Sequence, residues 1–410
     1  MRKFKRMLAA TVFVLAVPAA ASAQEMQAEV LHWWTSGGES AAVKVFADQF
    51  TAAGGAWEDT AIAGGVAART AGINRIVGGN PPTMMQFNTG KQFDELVAND
   101  LLRDMDSVAV AGKWREVLPA AITDAATRDG KFYAVPVNIH GQNWLFYNTK
   151  VFTDAGLTPP STYEDILAAA PKLKAAGIIP LAQGGQGWQE RLLFDSVLLA
   201  EAGPDVFKSV YADKDVDAVK AAKFLKAAET YGALRGLVDP ASPGRNWNDA
   251  TGLVITGKAA MQVMGDWAKG EFIAAGLTAD KDYGCTVLPG GYVMGGDVFV
   301  FPKLDDPKRV AAQDKLAELM LAPETQLAFN SKKGSVPVRL DVDVSGMDPC
   351  AQKGMAELRD PAKQIPSTNF LASPDLVGAT EDVITQYWNT PSMTADVFVA
   401  KFAGAMEAAG

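Results

Sequence analysis

The sequence predicts an α/β fold divided into more than one domain, and three observations carry that expectation. Short apolar runs alternate with longer segments of helical periodicity, the pattern of parallel or mixed sheets covered by helices on both faces. The chain has 410 residues, too long for one ordinary core. Hydrophobic residues make up 48% of it, enough for sizeable cores. Neither compositional disorder nor an internal repeat is visible.

The elements follow in order. Glu29 to Trp34 (EVLHWW) reads as a first strand, stopped by the turn signal Thr35-Ser36-Gly37-Gly38. Val43, Phe46, Ala47 and Phe50 then recur at helical spacing, and Ala52-Ala53-Gly54-Gly55 ends that helix. A second loop, Gly78-Gly79-Asn80-Pro81-Pro82, precedes Thr83 to Phe87, Asn88-Thr89-Gly90 follows, and Phe93, Leu96 and Val97 mark a further helix with Lys91 in its first turn. A cation there opposes the helix dipole. Lys131 to Val137 and Leu145 to Tyr147 read as strands. Pro159-Pro160-Ser161 starts a helix with a capping box from Ser161 to Glu164 and a stripe of Ile166, Leu167, Ala170 and Leu173. Ile178 to Leu181 returns as a strand, and residues 190 to 235 are helical in pattern. Ala260 to Val263 and Val298 to Phe301 are strands, while Val310 to Met320 and the stretch from 375 onward are helical.

The N-terminus reads as an export signal. Arg2, Lys3, Lys5 and Arg6 precede an apolar run from Met7 to Val17, and Ala21-Ser22-Ala23 fits a cleavage site. The run is shorter than the roughly 20 residues of a spanning helix. No Cys follows the cleavage site to carry a lipid, and no other stretch is long and apolar enough to span a bilayer. A mature chain starting at Gln24, soluble in the periplasm, is expected. Cleavage removes four positive charges and no negative one, taking the net charge from −9 to −13. That argues against nucleic acid and anionic membrane surfaces. Cys285 and Cys350 are the only cysteines, and in an oxidising compartment an even pair reads as a disulfide. No CxxC is present and the chain holds two histidines, so a metal or redox site is disfavoured.

Enzyme signatures are scarce: there is no GxSxG, HExxH or phosphate-cradling loop. Gly184-Gly185-Gln186-Gly187 reads as an ordinary loop. The tryptophans are more informative. Trp33 and Trp34 sit at the end of the first strand, and Trp267 at the end of Met261 to Trp267 (MQVMGDW). Ligands of open α/β sheets bind beyond the carboxyl ends of strands, and an aromatic face suits the C–H face of a sugar ring. Sugar hydroxyls need hydrogen bonds in place of water. Glu39, Lys91, Asp297 and Lys333, with the amides Gln142 and Asn143, have suitable side chains.

Several motifs together resemble a known family. Glu29 to Glu39 (EVLHWWTSGGE), Asp129 to Phe152 (DGKFYAVPVNIHGQNWLFYNTKVF), Ala155 to Leu181, Gly257 to Trp267 (GKAAMQVMGDW) and Lys332 to Pro337 look like the extracellular sugar-binding proteins of bacterial ABC importers. The likeness covers nearly the whole mature chain. Trp33-Trp34 with Ser36 to Glu39, and Asn138-Ile139-His140, resemble the glucose/mannose-binding subgroup. The resemblance implies a two-lobed periplasmic binding protein fold (type II) whose lobes close over ligand. The N-lobe would comprise 24–136 plus 298–336, and the C-lobe 137–297 plus 337–410. It implies a ligand site of Trp33, Trp34, Glu39, Lys91, His140, Asn143, Trp267, Asp297, Lys333 and Asn369, with no cofactor and no catalysis. The implied partners are a small carbohydrate, an inner-membrane ABC permease and, as an additional recipient, a chemoreceptor. Trp34 and Trp267 would sandwich the sugar; adjacent strand residues point to opposite faces, so Trp33 and Trp34 would not both stack unless the strand has already ended. Two departures leave the sugar open among glucose, another monosaccharide, a polyol or a small glycoside. Gly141 stands where the subgroup has Arg, and Asn369 stands where a late His is expected. The rival expectation is a secreted carbohydrate-active enzyme.

Overall fold

A computed structural model describes residues 26–409. The expected export signal lies outside the described residues. Among them, no helix is long and apolar enough to cross a membrane.

The molecule has two lobes, each built on its own sheet. The first sheet has the strand order Gly55–Ala61, Met26–His32, Met84–Asn88, Asp297–Val300, Ala134–Pro136. Met26–His32 pairs in parallel with both neighbours, placing Val30 opposite Asp59 and Met84. Asp297–Val300 runs antiparallel between Met84–Asn88 and Ala134–Pro136, so this strand returns to the first sheet from a long excursion. The second sheet orders Tyr283–Val287, Trp144–Asn148, Ala259–Met264, Ile179–Leu181. Its central strand Ala259–Met264 is buried at every residue, as expected of a strand covered on both faces. Between the two, His140–Gly141 pairs with Tyr292–Gly295, which pairs with Gln364–Pro366. The chain thus leaves the first sheet after Pro136 and re-enters it at Asp297.

Most sequence expectations hold within a residue or two, with informative exceptions. The first strand ends at His32, so Trp33 and Trp34 lie beyond it. The capping box at the 160s is one residue later than expected: Thr162 Oγ1 accepts from the Asp165 N–H, and the Asp165 carboxylate accepts from the Thr162 N–H. The shorter Asp reaches back to Ser161 as well, which Glu164 does not. Lys131 to Val137 is two short strands, Lys131–Phe132 and Ala134–Pro136. The 190–235 region is four helices and a 3-10 turn, interrupted at Gly203, before Asp215 and at Ala221. The C-terminal stretch breaks between Asn389 and Ala395. Lys91 is not in a helix: the following helix is Asp94–Ala98.

Both lobes are packed on aromatic residues. In the first, Phe46 of the helix Gly37–Ala52 stacks on Phe329 at 4.3 Å. In the second, Phe194 meets Phe398 edge-on at 5.3 Å and Tyr231 at 5.3 Å. Cys285 and Cys350 form a disulfide with Cα atoms 6.0 Å apart, tying the edge strand Tyr283–Val287 to the helix Pro349–Leu358.

Candidate functional site

A cavity of about 280 Å³ lies between the lobes and is lined by both. That is at the small end of ligand pockets, which run from roughly 300 Å³ upward. Part of its wall comes from the chain at or just past strand ends. Trp33 and Trp34 follow Met26–His32, Asn88 ends Met84–Asn88, and Trp267 follows Ala259–Met264. This is where open α/β sheets place ligands.

The local geometry after the first strand is fixed by two contacts of His32. Its Nδ1 accepts the Trp34 backbone N–H at 3.1 Å, and its Nε2 lies 2.7 Å from Asp59 Oδ1. The turn sends the two indoles to different places. Trp34 is only 1% exposed, edge-on to Phe299 at 5.6 Å and tilted on Phe329 at 5.3 Å. Trp33 is half-buried, with the Arg69 guanidinium 5.6 Å above its ring. Trp34 is anchored in the core at the cavity floor, and Trp33 is the more open of the two rings. Trp267 is also half-buried, packed edge-on by His140 at 4.9 Å and tilted against Trp188 at 6.2 Å.

Charged groups at the site are nearly all buried and paired. Ser36 caps the helix Gly37–Ala52, and Glu39 completes a capping box with it. The Glu39 Oε1 then faces Lys333 Nζ at 3.4 Å. Lys333 closes the helix Pro323–Lys333, where a cation complements the helix dipole. Its ammonium also sits 5.7 Å from the Trp34 ring and 5.9 Å from the Trp267 ring, as a cation–π bridge. His140 lies between two carboxylates: Nδ1 bonds Asp266 Oδ1, and Nε2 is 3.0 Å from Asp297 Oδ2. Burial alone would lower the His140 pKa, but the charge of Asp266 and bonds to both carboxylates outweigh it, and the net shift is upward. Burial acts to raise Asp297, yet the His140 bond and charge, with Lys333 and Asn138, hold it below the ordinary carboxyl range. Gln86 Nε2 donates to Asp297 Oδ1 at 3.0 Å and Asn138 Nδ2 to Oδ2 at 2.9 Å, so this carboxylate is fully engaged. Asp266 Oδ2 accepts the Gly141 N–H at 2.9 Å.

Of the ten residues expected at the site, eight line this cavity: Trp33, Trp34, Glu39, His140, Trp267, Asp297, Lys333 and Asn369. Lys91 and Asn143 do not. The Lys91 ammonium donates to the Leu371 carbonyl at 2.8 Å, and its backbone N–H to the Asn369 carbonyl at 3.2 Å. Gly90 just before it, at φ 134°, lets the backbones approach; a Cβ there would stand 2.1 Å from the Asn369 oxygen. Asn143 is spent on structure: its amide donates to the Leu288 and Gly291 carbonyls and accepts the Val293 N–H. Gly141 also faces away from the cavity. A Cβ there would lie 2.4 Å from the Tyr292 ring and 2.5 Å from Trp144 Nε1.

Sequence reasoning missed Arg69, Trp188, Arg191, Trp247 and Glu381, all of which line the cavity. For Trp188 a signal existed: it directly follows Gly184 to Gly187, the same tryptophan-beside-glycine setting as Trp34. Arg191 and Glu381 come from distant helices, Gly187–Ala202 and Pro374–Asn389, and meet at 3.0 Å. No spacing could have joined them. Among the described residues no group of three or more His, Cys, Asp or Glu could hold a metal ion.

Residues 34–326 match the family model of bacterial extracellular solute-binding proteins. The chain is 39% identical over 398 residues to a probable sugar-binding periplasmic protein of Mesorhizobium japonicum, covering 95% of this chain and 94% of that one. It is 37% identical over 419 residues to a probable sugar-binding periplasmic protein of Rhizobium meliloti, covering 100% of each. Among solved structures, the bacterial solute receptor AcbH, described as preferring β-D-galactopyranose, superposes with a TM-score of 0.79 at 20% identity, covering 93% of this chain and 97% of that one. A maltose-bound Thermotoga maritima protein, MalE3, superposes with a TM-score of 0.74 at 17% identity, covering 93% of this chain and 99% of the other. At such identities these two structures speak for the fold.

Proposed function

The chain belongs to the family of bacterial extracellular solute-binding proteins, and from that premise we propose that it captures a small sugar between its lobes and delivers it to an ABC importer permease. The observation that carries this is the cavity itself. Two half-buried indoles, Trp33 and Trp267, and a ring of ion-paired polar groups line about 280 Å³ of space. Rings serve the C–H faces of a pyranose, and polar groups serve its hydroxyls. The names of the Mesorhizobium and Rhizobium relatives support a sugar.

The proposed lobes are 24–136 plus 298–336 and 137–297 plus 337–410; the first sheet's strands between Met26 and Pro136 with the return of Asp297–Val300, and the second sheet's strands between Trp144 and Val287, support that division to within a residue. Export with cleavage after Ala23 would place the protein in the periplasm, the location in the names of both relatives. The family and these relatives are binding proteins and not enzymes, which sets aside the carbohydrate-active enzyme. The test is recovery of ligand. The purified chain is loaded with its sugar, freed of excess, held for hours and denatured, and the released compound is identified by mass spectrometry. The sugar should return unchanged in one equivalent; a hydrolysed or altered product would contradict the proposal.

A further inference from the structure

Each carboxylate lining the cavity is paired with a lining cation. Glu39 faces Lys333 at 3.4 Å, Asp297 faces His140 at 3.0 Å, and Glu381 faces Arg191 at 3.0 Å. Arg69 is the lining cation left over. It projects from the helix Gly65–Val77, and among the described residues it forms no ion pair. Its one side-chain hydrogen bond is a long one, to Asn88 Oδ1 at 3.4 Å, and its guanidinium otherwise rests over the Trp33 ring. Asp266 and Asp195 stand behind His140 and Arg191, and Asp195 is pushed toward its neutral form by burial. Neither touches Arg69.

A partly desolvated guanidinium offers five donors in a fork that matches carboxylate and phosphate oxygens. Leaving it without an anion is costly. Burial, then the like charge of Arg191, push its pKa down to about 10, with Glu381 opposing. The uncompensated cation lies over Trp33, the ring that would carry the sugar.

We propose that the natural ligand is an anionic monosaccharide, whose carboxylate or phosphate is bound by Arg69 while its ring lies against Trp33. This rests on the sugar-binding proposal and names the class of sugar. Such a site would also select against neutral sugars, because they leave the guanidinium without its anion.

The test is calorimetric titration of the mature chain with matched pairs: glucose, galactose and mannose against their uronates, gluconate and 6-phosphates. At least one acid should bind about tenfold or more tightly than its neutral parent, the scale of a charge-assisted hydrogen bond. The uronate and phosphate arms tell which anion is recognised. Arg69→Gln should weaken that acid about tenfold or more and change the neutral parent less than about threefold, with Arg69→Lys between. Melting curves confirm that both variants fold. A neutral parent bound as tightly as every acid, or an Arg69→Gln loss equal for both classes, would overturn the inference and leave sugar binding intact. If no sugar of either class binds, the sugar-binding proposal fails and this inference goes with it.

Discussion

The difference in burial between Trp33 and Trp34 gives the sharpest test of the site. Trp34→Ala removes an indole that is 1% exposed and wedged between Phe299 and Phe329. Truncating a buried Trp costs about 3–5 kcal/mol of stability, from lost burial plus the cavity left behind. Lys333 would also lose one of its two aromatic faces. Trp33→Ala removes a half-buried ring that meets the cavity and the Arg69 guanidinium. It should cost little stability. If a sugar covers that face, about 1–3 kcal/mol of affinity should go, roughly tenfold to a hundredfold. Trp267→Ala should do both in part, since His140 packs on its edge at 4.9 Å. The assay is thermal melting with and without ligand, paired with calorimetric affinity, on all three variants. The expected order is Trp34→Ala worst in melting temperature and Trp33→Ala worst in affinity relative to its melting loss. A folded Trp33→Ala with native affinity would refute the placement of the ligand on that ring.

Three further expectations follow from other parts of the structure. Gly141→Arg should lower the melting temperature by an overpacking cost of about 1–3 kcal/mol, because the new side chain meets Tyr292 and Trp144; an unchanged melting temperature with an altered sugar preference would mean that position 141 faces the cavity after all. The raised pKa of His140 implies stability that is fully present below its ordinary pKa and fades as pH rises through the folded value. The urea-unfolding difference between wild type and His140→Gln should thus shrink with rising pH above about 6.5, and a difference that is flat across neutral and alkaline pH would contradict a charged imidazolium. Thiol titration of the unreduced, denatured protein should find no free cysteine, and removing the Cys285–Cys350 bond, which closes a separation of 65 residues, should cost up to about 4 kcal/mol on the loop-entropy model. Two reactive thiols in the unreduced chain would be the contrary result.

What the sequence made legible follows from the range of the physics involved. Apolar runs such as Val298 to Phe301 and amphipathic stripes such as Val43, Phe46 and Phe50 are local signals, and their elements formed where expected. Gly55–Ala61 was missed because it is an edge strand in which Glu58, Asp59 and Thr60 follow one another, leaving no apolar alternation to read. Tyr292–Gly295 and Gln364–Pro366 were missed because runs of three or four residues, the first flanked by glycines and the second ending in a proline, give no periodicity. The relative burial of the two indoles was not legible because strand alternation applies only within a strand, and the strand stops at His32. Lys91 and Asn143 have side chains suited to a sugar, but their hydrogen bonds to Leu371 and to Leu288 and Gly291 are visible only in three dimensions. The Arg191–Glu381 pair spans 190 positions, beyond any spacing argument.

The central claim is that one small sugar occupies the cavity between the lobes. The most direct measurement is a calorimetric titration of the mature chain with neutral and acidic monosaccharides, disaccharides and amino acids, repeated on Trp33→Ala. One monosaccharide should bind at one equivalent per chain, more tightly than its disaccharides, with that affinity reduced about tenfold or more in the variant. Binding of an amino acid or a longer glycoside with no monosaccharide bound, or monosaccharide affinity indifferent to Trp33, would contradict the account.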